Sequence, residues 1–241
     1  MSTKILFIFE GEKSEKQITN NLIQFFLNEN SVVTCAYCTT IYKLFAEISE
    51  DKYLDTFSLL KEIKANKEIL KGFNRSDFAE IYMFFDYDGH VTNASDEKLQ
   101  NLLGFFNEET DKGKLYISYP MVEALKHIED FDTFKDLKVA CKKNIGYKKI
   151  VRINGLASLK QIIRYDFEKW KQLVEVHLKK MNQIANRSYS FPVAIIDQPT
   201  IFAKQSEYYI STDKTVAVLS AFPIFLHDYY GNEGIKKRIE R

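Results

Sequence analysis

Proline and glycine are scarce in this chain, with four and nine in 241 residues. That scarcity argues against long linkers, and the sequence carries no internal repeat and no low-complexity segment. Cysteine is scarce too. Cys35, Cys38 and Cys141 are odd in number, and although Cys35 and Cys38 have CxxC spacing they fall inside an expected strand with no second ligand pair. Buried free thiols in a reducing cytosol are therefore expected rather than a zinc site. No apolar run reaches the roughly 18 residues of a membrane span. No signal peptide is visible, because the chain enters its first expected strand almost at once. The expectation is a cytoplasmic protein without membrane contact. No Gly-rich phosphate loop of the GxxxxGK[ST] kind is present. The formal net charge is only +1, so a nucleic-acid surface would have to come from uneven distribution of charge. What is abundant is apolar and aromatic side chains, at 45% and 14%, enough for a globular core.

The stretch Lys4 to Glu15, KILFIFEGEKSE, organises the rest. A short apolar run, Ile5 to Phe9, breaks at Glu10-Gly11 and a helical pattern opens at Ser14. Such a run reads as a buried parallel strand feeding a βα unit. Glu10 then stands at the carboxyl end of the strand, where ligands collect in open α/β sheets. A second apolar run, Ile81 to Phe85, ends in Asp86-Tyr87-Asp88-Gly89. Alternate residues of an extended chain share a face, so Asp86 and Asp88 point the same way. If the two strands are neighbours, Glu10, Asp86 and Asp88 meet. Crowded carboxylates either take up protons or bind a cation, and hard oxygen ligands suit Mg²⁺ or Mn²⁺.

A strand ending in Glu-Gly, followed by one ending in Asp-x-Asp, resembles the Toprim domain of topoisomerases, primases and OLD-type nucleases. The wording Glu10-Gly11-Glu12-Lys13-Ser14-Glu15 looks most like the small Toprim proteins of bacterial defence loci, RloB-like and AriB-like. Ser118 to Glu123 resembles a Pro-x-x-Glu element of those proteins. The resemblance covers roughly the first half of the chain. It implies a divalent-metal-dependent nuclease, a toxic effector of abortive infection that cleaves tRNA or DNA under control of an ATPase partner. Glu10, Asp86 and Asp88 would be catalytic and metal-binding, with Glu15 or Glu123 completing a second ion. A non-catalytic interaction subunit of Toprim shape is the alternative from another class. A primase or topoisomerase-related enzyme is the other, though no zinc-ribbon module or active-tyrosine context supports it.

Along the chain, a helix is expected from a Ser14 cap to about Asn28, a strand over Val32 to Cys38 and a short helix over Ile41 to Ser49. A longer helix follows from Asp55, burying Phe57, Leu60, Ile63 and Ile69. After the strand of 81–85 come a helix from Ser95 or Asp96, a fourth strand over Leu115 to Ser118, and a helix from Met121. This alternation predicts an α/β fold with a mostly parallel four-stranded sheet over residues 1–130. Residues 131–241 read as a basic, mainly helical region, with one long helix from Leu156 to about Ala185 and further helices near 197–209 and 215–229. Lys142, Lys143, Lys148 and Lys149 are candidate phosphate contacts, as is Lys13, although lysine runs are also ordinary solvated surface. His90 is either a phosphate contact or a surface-loop histidine. Glu15 either joins the acids or lies on an exposed first helical turn, which favours acids; Glu12 is a further candidate. Tyr208-Tyr209 and Tyr229-Tyr230 either stack on bases or pack internally. A homo-oligomer is left open.

Overall fold

The computed structural model describes residues 4–11, 13–28, 31–37, 39–50 and 55–240; Glu12 and Cys38, named above, lie outside them. The chain is α/β and divides into two compact units, Met1–Asp86 with Ser95–Leu115, and Tyr87–Ala94 with Tyr116–Arg241.

In the first unit, β1 (Lys4–Phe9) pairs in parallel with both β2 (Val32–Ala36) and β3 (Phe78–Asp86). Ile5 to Phe9 and Ile81 to Phe85 are all buried, as central parallel strands require when both faces are covered. The conditional expectation that the two strands are neighbours is met, and the Glu10 N–H extends their pairing by donating to the Phe84 carbonyl at 3.2 Å. Helix α1 (Ser14–Phe26) buries Ile18, Leu22 and Phe26. Ser14 is its first residue rather than its cap, since Lys13 holds the cap position without a side-chain bond. Helix α2 spans Ile41–Glu50. Helix α3 (Thr56–Glu62) starts at an Asp55 cap but stops early, and Ile69 is 40% exposed rather than part of a buried face. The reason is Asn66, fully buried beyond the helix end. Its amide donates to the carbonyls of Ala36 and Leu60 and accepts from the Ala36 N–H, which draws the chain into a 3-10 turn.

Helix α4 (Asp96–Phe105) is capped by the Ser95 hydroxyl, which accepts from the Lys98 N–H at 3.3 Å. The sheet has five strands, in the order β2-β1-β3-β5-β4, not four. The extra one, β4 (Asn107–Glu108), runs antiparallel to β5 (Gly113–Ser118) and is two exposed polar residues with no apolar pattern to betray it.

The second unit is less regular than expected. Glu123 sits in a 3-10 turn, Val122–Lys126, not in an α-helix. Strands β6 (Lys138–Ala140) and β7 (Thr215–Ala217) form a small antiparallel sheet in a region expected to be mainly helical. Helix α5 covers Tyr147–Asn154. Helix α6 runs from Phe167 to Asn186, not from Leu156; two 3-10 turns precede it, and Ile163 is 71% exposed. The Asp166 carboxylate fixes its start by accepting from the Lys169 N–H at 2.8 Å. Helices α7 (Gln198–Gln205), α8 (Ser211–Asp213) and α9 (Ala221–Ile239) complete the unit. Pro223 lies in the first turn of α9, where a missing N–H costs nothing. Helix α6 packs on α9; Trp170, Leu173 and Leu178 of the first helix and Phe222 and Phe225 of the second are buried. Among the described residues, Cys35 and Cys141 are buried free thiols, and no helix is long and apolar enough to cross a membrane.

Candidate metal centre and its basic surroundings

The acids stand where two apolar strands end. Glu10 follows β1, and its carboxylate accepts the backbone N–H of Asp86 at 3.1 Å, so the end of one strand is tied to the end of the next. Asp86 closes β3 and Asp88 follows two residues later. Each of Glu10, Asp86 and Asp88 offers a carboxylate oxygen within 4.8 Å of the others. Asp86 and Asp88 are buried and Glu10 half-buried.

The local backbone explains the placement of Asp88. The N–H of Tyr87 donates to the Ser118 carbonyl at 3.0 Å and that of Asp88 to the Pro120 carbonyl at 3.3 Å. Asp88 has a φ of 41°, a left-handed conformation uncommon for a residue with a side chain and one that clusters at functional sites. Gly89 is obligatory beside it: a Cβ there would stand 2.4 Å from the Tyr87 ring.

Asp88 and Glu123 belong together electrostatically. Burial pushes the Asp88 carboxyl above its usual range, opposed by His90 and Lys148 and reinforced by the charge of Glu123. The His90 Nδ1 lies 3.9 Å from Asp88 Oδ1, and the Lys148 ammonium 3.8 Å from Glu123 Oε1. Asp88 Oδ1 and Glu123 Oε2 accept no hydrogen bond from the described residues, although both side chains are buried. Buried carboxylate oxygens without donors are costly. The donor set is all carboxylate, which fits a hard divalent cation.

The remaining candidates fall in different settings. Glu15 is buried in the first turn of α1, and a Cβ on Gly11 would come within 3.1 Å of its carboxylate, which would have to shift to admit it. Lys13 is exposed at the start of α1. The Lys142 ammonium sits 5.2 Å from the centre of the Tyr87 ring. Lys143, Lys148 and Lys149 line a cavity of about 370 Å³ together with Gly89 and His90. A second cleft, of about 280 Å³, is lined by Lys148 and Glu123 together with Lys126, Arg152 and Lys160. Arg152 closes the lysine-rich stretch in which phosphate contacts are expected, whereas Lys126 and Lys160 are not among the expected contacts. Those two come from separate segments, and no spacing in the sequence joins them. Of the tyrosines, Tyr208 is engaged by the Arg187 guanidinium at 3.7 Å from its ring, Tyr229 packs on Phe225, and Tyr230 carries the Arg238 guanidinium at 4.2 Å.

No protein-family model, curated protein or solved structure matches this chain.

Proposed function

We propose that the protein is a divalent-metal-dependent nuclease of Toprim type, hydrolysing phosphodiester bonds. The observation that carries this reading is the convergence of Glu10, Asp86 and Asp88 to within 4.8 Å at the ends of neighbouring parallel strands. These three residues would hold the ion, Mg²⁺ or Mn²⁺, with Glu15 or Glu123 serving a second. A bound divalent ion supplies Lewis acidity toward a phosphate oxygen and lowers the pKa of water. The protein's own part is positioning and charge. Glu10, fixed by the Asp86 N–H, is oriented toward the acids and serves as ligand or general base. Asp88 and Glu123 each contribute one oxygen, Oδ1 and Oε2, that has no donor among the described residues. The exposed lysines 143, 148 and 149 bind phosphates of the nucleic acid, and Lys148 joins that path to Glu123. The toxic-effector role, the choice of tRNA or DNA and the partner ATPase rest on the resemblance of the Glu10-Gly11 and Asp86–Asp88 motifs.

The test is incubation of purified protein with total tRNA and with plasmid, each in Mg²⁺ and in EDTA, beside calorimetry with Mn²⁺. Cleavage that needs the metal is expected. Asp86→Ala combined with Asp88→Ala should abolish Mn²⁺ binding while the protein still melts cooperatively. Unchanged Mn²⁺ binding in that variant refutes the metal site. Metal binding without cleavage of either substrate favours a non-catalytic interaction subunit.

A further inference from the structure

The cavity of about 370 Å³ in the second unit differs in chemistry from the neighbouring cleft. Its size lies in the range of small-ligand pockets, about 300–1,000 Å³. Pro120, Met121 and Ile145 give it apolar walls, and Tyr147, largely buried, is among its lining residues. The Tyr147 ring is fixed, because its hydroxyl and the Nδ1 of buried His127 lie 2.9 Å apart. Lys143, Lys148 and Lys149 stand exposed at the rim, and none of the described lining residues is acidic. The cleft that shares Lys148 carries Glu123 and four basic residues, with Val151, Gly155 and Leu159 completing its lining. A strip of phosphates suits the cleft. The cavity suits something flat and apolar that carries negative charge beside it.

We propose that this cavity takes the base of one unpaired nucleotide adjacent to the scissile phosphate, so that the protein acts on single-stranded or looped nucleic acid rather than on intact duplex. This rests on the nuclease reading and specifies its substrate. Paired bases in a duplex present neither face, and reach a cavity only by being flipped out at a cost of a few kcal/mol. An unpaired base pays little, and stacking on an aromatic wall is insensitive to its identity. Lys148 ties the two features together. It lines the cavity and reaches Glu123 at 3.8 Å, so the phosphate of the seated nucleotide is delivered toward Asp88 and Glu123. Gly89 and His90, which immediately follow Asp88, form part of the same cavity lining.

The experiment is fluorescence anisotropy in EDTA with a short labelled single strand, the blunt duplex of the same sequence, and a series of strands carrying one abasic position at each site in turn. Wild type is expected to bind the single strand about tenfold tighter than the duplex, and one abasic position should weaken binding about tenfold, as expected for one lost stacking contact. Ile145→Trp, which fills the cavity, should reduce single-strand affinity to that of the duplex. Equal affinity for intact, abasic and duplex probes in wild type overturns the proposal without recourse to any variant. Metal-dependent cleavage unaffected by Ile145→Trp would sink the base pocket and leave the nuclease reading standing. Base-dependent binding with no cleavage in Mg²⁺ would do the reverse.

Discussion

The two units satisfy their backbones by different means. In the first, Ile5 to Phe9 and Ile81 to Phe85 are held in a parallel ladder, and few polar side chains are needed inside it. In the second, individual polar side chains take over. The Gln205 amide donates to the Ala217 carbonyl and accepts its N–H, acting as a substitute strand for β7. Buried Lys180 donates to the carbonyls of Phe134 and Leu137, and burial holds its pKa well below the usual lysine range. His177 accepts the Ser220 N–H on Nδ1, and its Nε2 faces the Leu125 carbonyl at 3.4 Å. All four histidines of the chain lie in this second unit. A fold resting on patterned burial tolerates changes of pH and of single side chains. One resting on a few buried polar groups is exposed to both.

The contrast can be broken first at the chemistry. Glu10→Gln keeps the acceptor for the Asp86 N–H but removes the charge. As a ligand or general base, Glu10 should account for a fall in cleavage rate of about 10²–10⁴. The melting temperature should hold or rise, because a like charge leaves a group of acids. A variant that folds normally and cleaves at the wild-type rate removes Glu10 from the mechanism.

The next effect is on stability. Gln205→Ala and Asn66→Ala each remove an amide paired with both backbone groups of a buried residue at a strand end. A buried group left unpaired costs about 1–3 kcal/mol. Hydrogen exchange resolved by residue should place each loss in its own unit. Loss of protection spread evenly through the chain from either variant would show that the units do not respond separately.

The last effect, the smallest at any pH near neutral, is the dependence on pH. Burial pushes the His177 pKa down to about 3, with Lys180 adding to the shift and the Leu125 carbonyl opposing it. His177 therefore stays neutral in the fold while the unfolded chain takes a proton near pH 6.5. Its stability contribution is complete above that value and is lost as the pH falls toward 3. The slope is about 1.4 kcal/mol per pH unit for one histidine. Burial lowers His127 and His227 as well, so the loss on acidification is shared. His177→Asn should flatten the fall in unfolding free energy below pH 6.5 by about one proton. An unchanged slope, measured by urea titration at several pH values, would show that His177 does not report on acid unfolding.

How far the sequence could be read follows the same division. β1, β3 and their terminal acids were readable because each apolar run stops abruptly at a carboxylate, and their pairing brings Glu10 to Asp86. The apolar spacing carries the expected α6 past its true start for a physical reason. Leu159 and Ile162 are both buried and three residues apart, a spacing that 3-10 turns share with the α-helix. The signal that would have corrected it is Asp166, a cap in mid-pattern. β6 and β7 are three residues each and pair across more than seventy positions, so neither length nor periodicity marks them. The cavity beside Asp88 was only half readable. Its lysines stand out in the sequence, whereas Pro120, Met121 and Ile145 join them only through folding.

Asn66 also bears on assembly. β2 stands at the edge of the five-stranded sheet, with β1 as its neighbour on one side. An edge strand is a template for pairing with a strand from another molecule, and proteins blunt such edges. By occupying both the N–H and the C=O of Ala36, the Asn66 amide leaves the last residue of β2 nothing to offer an incoming strand. The side chain that ends a helix thus also closes one end of the sheet to self-association, and concentrated Asn66→Ala protein should be the form that aggregates.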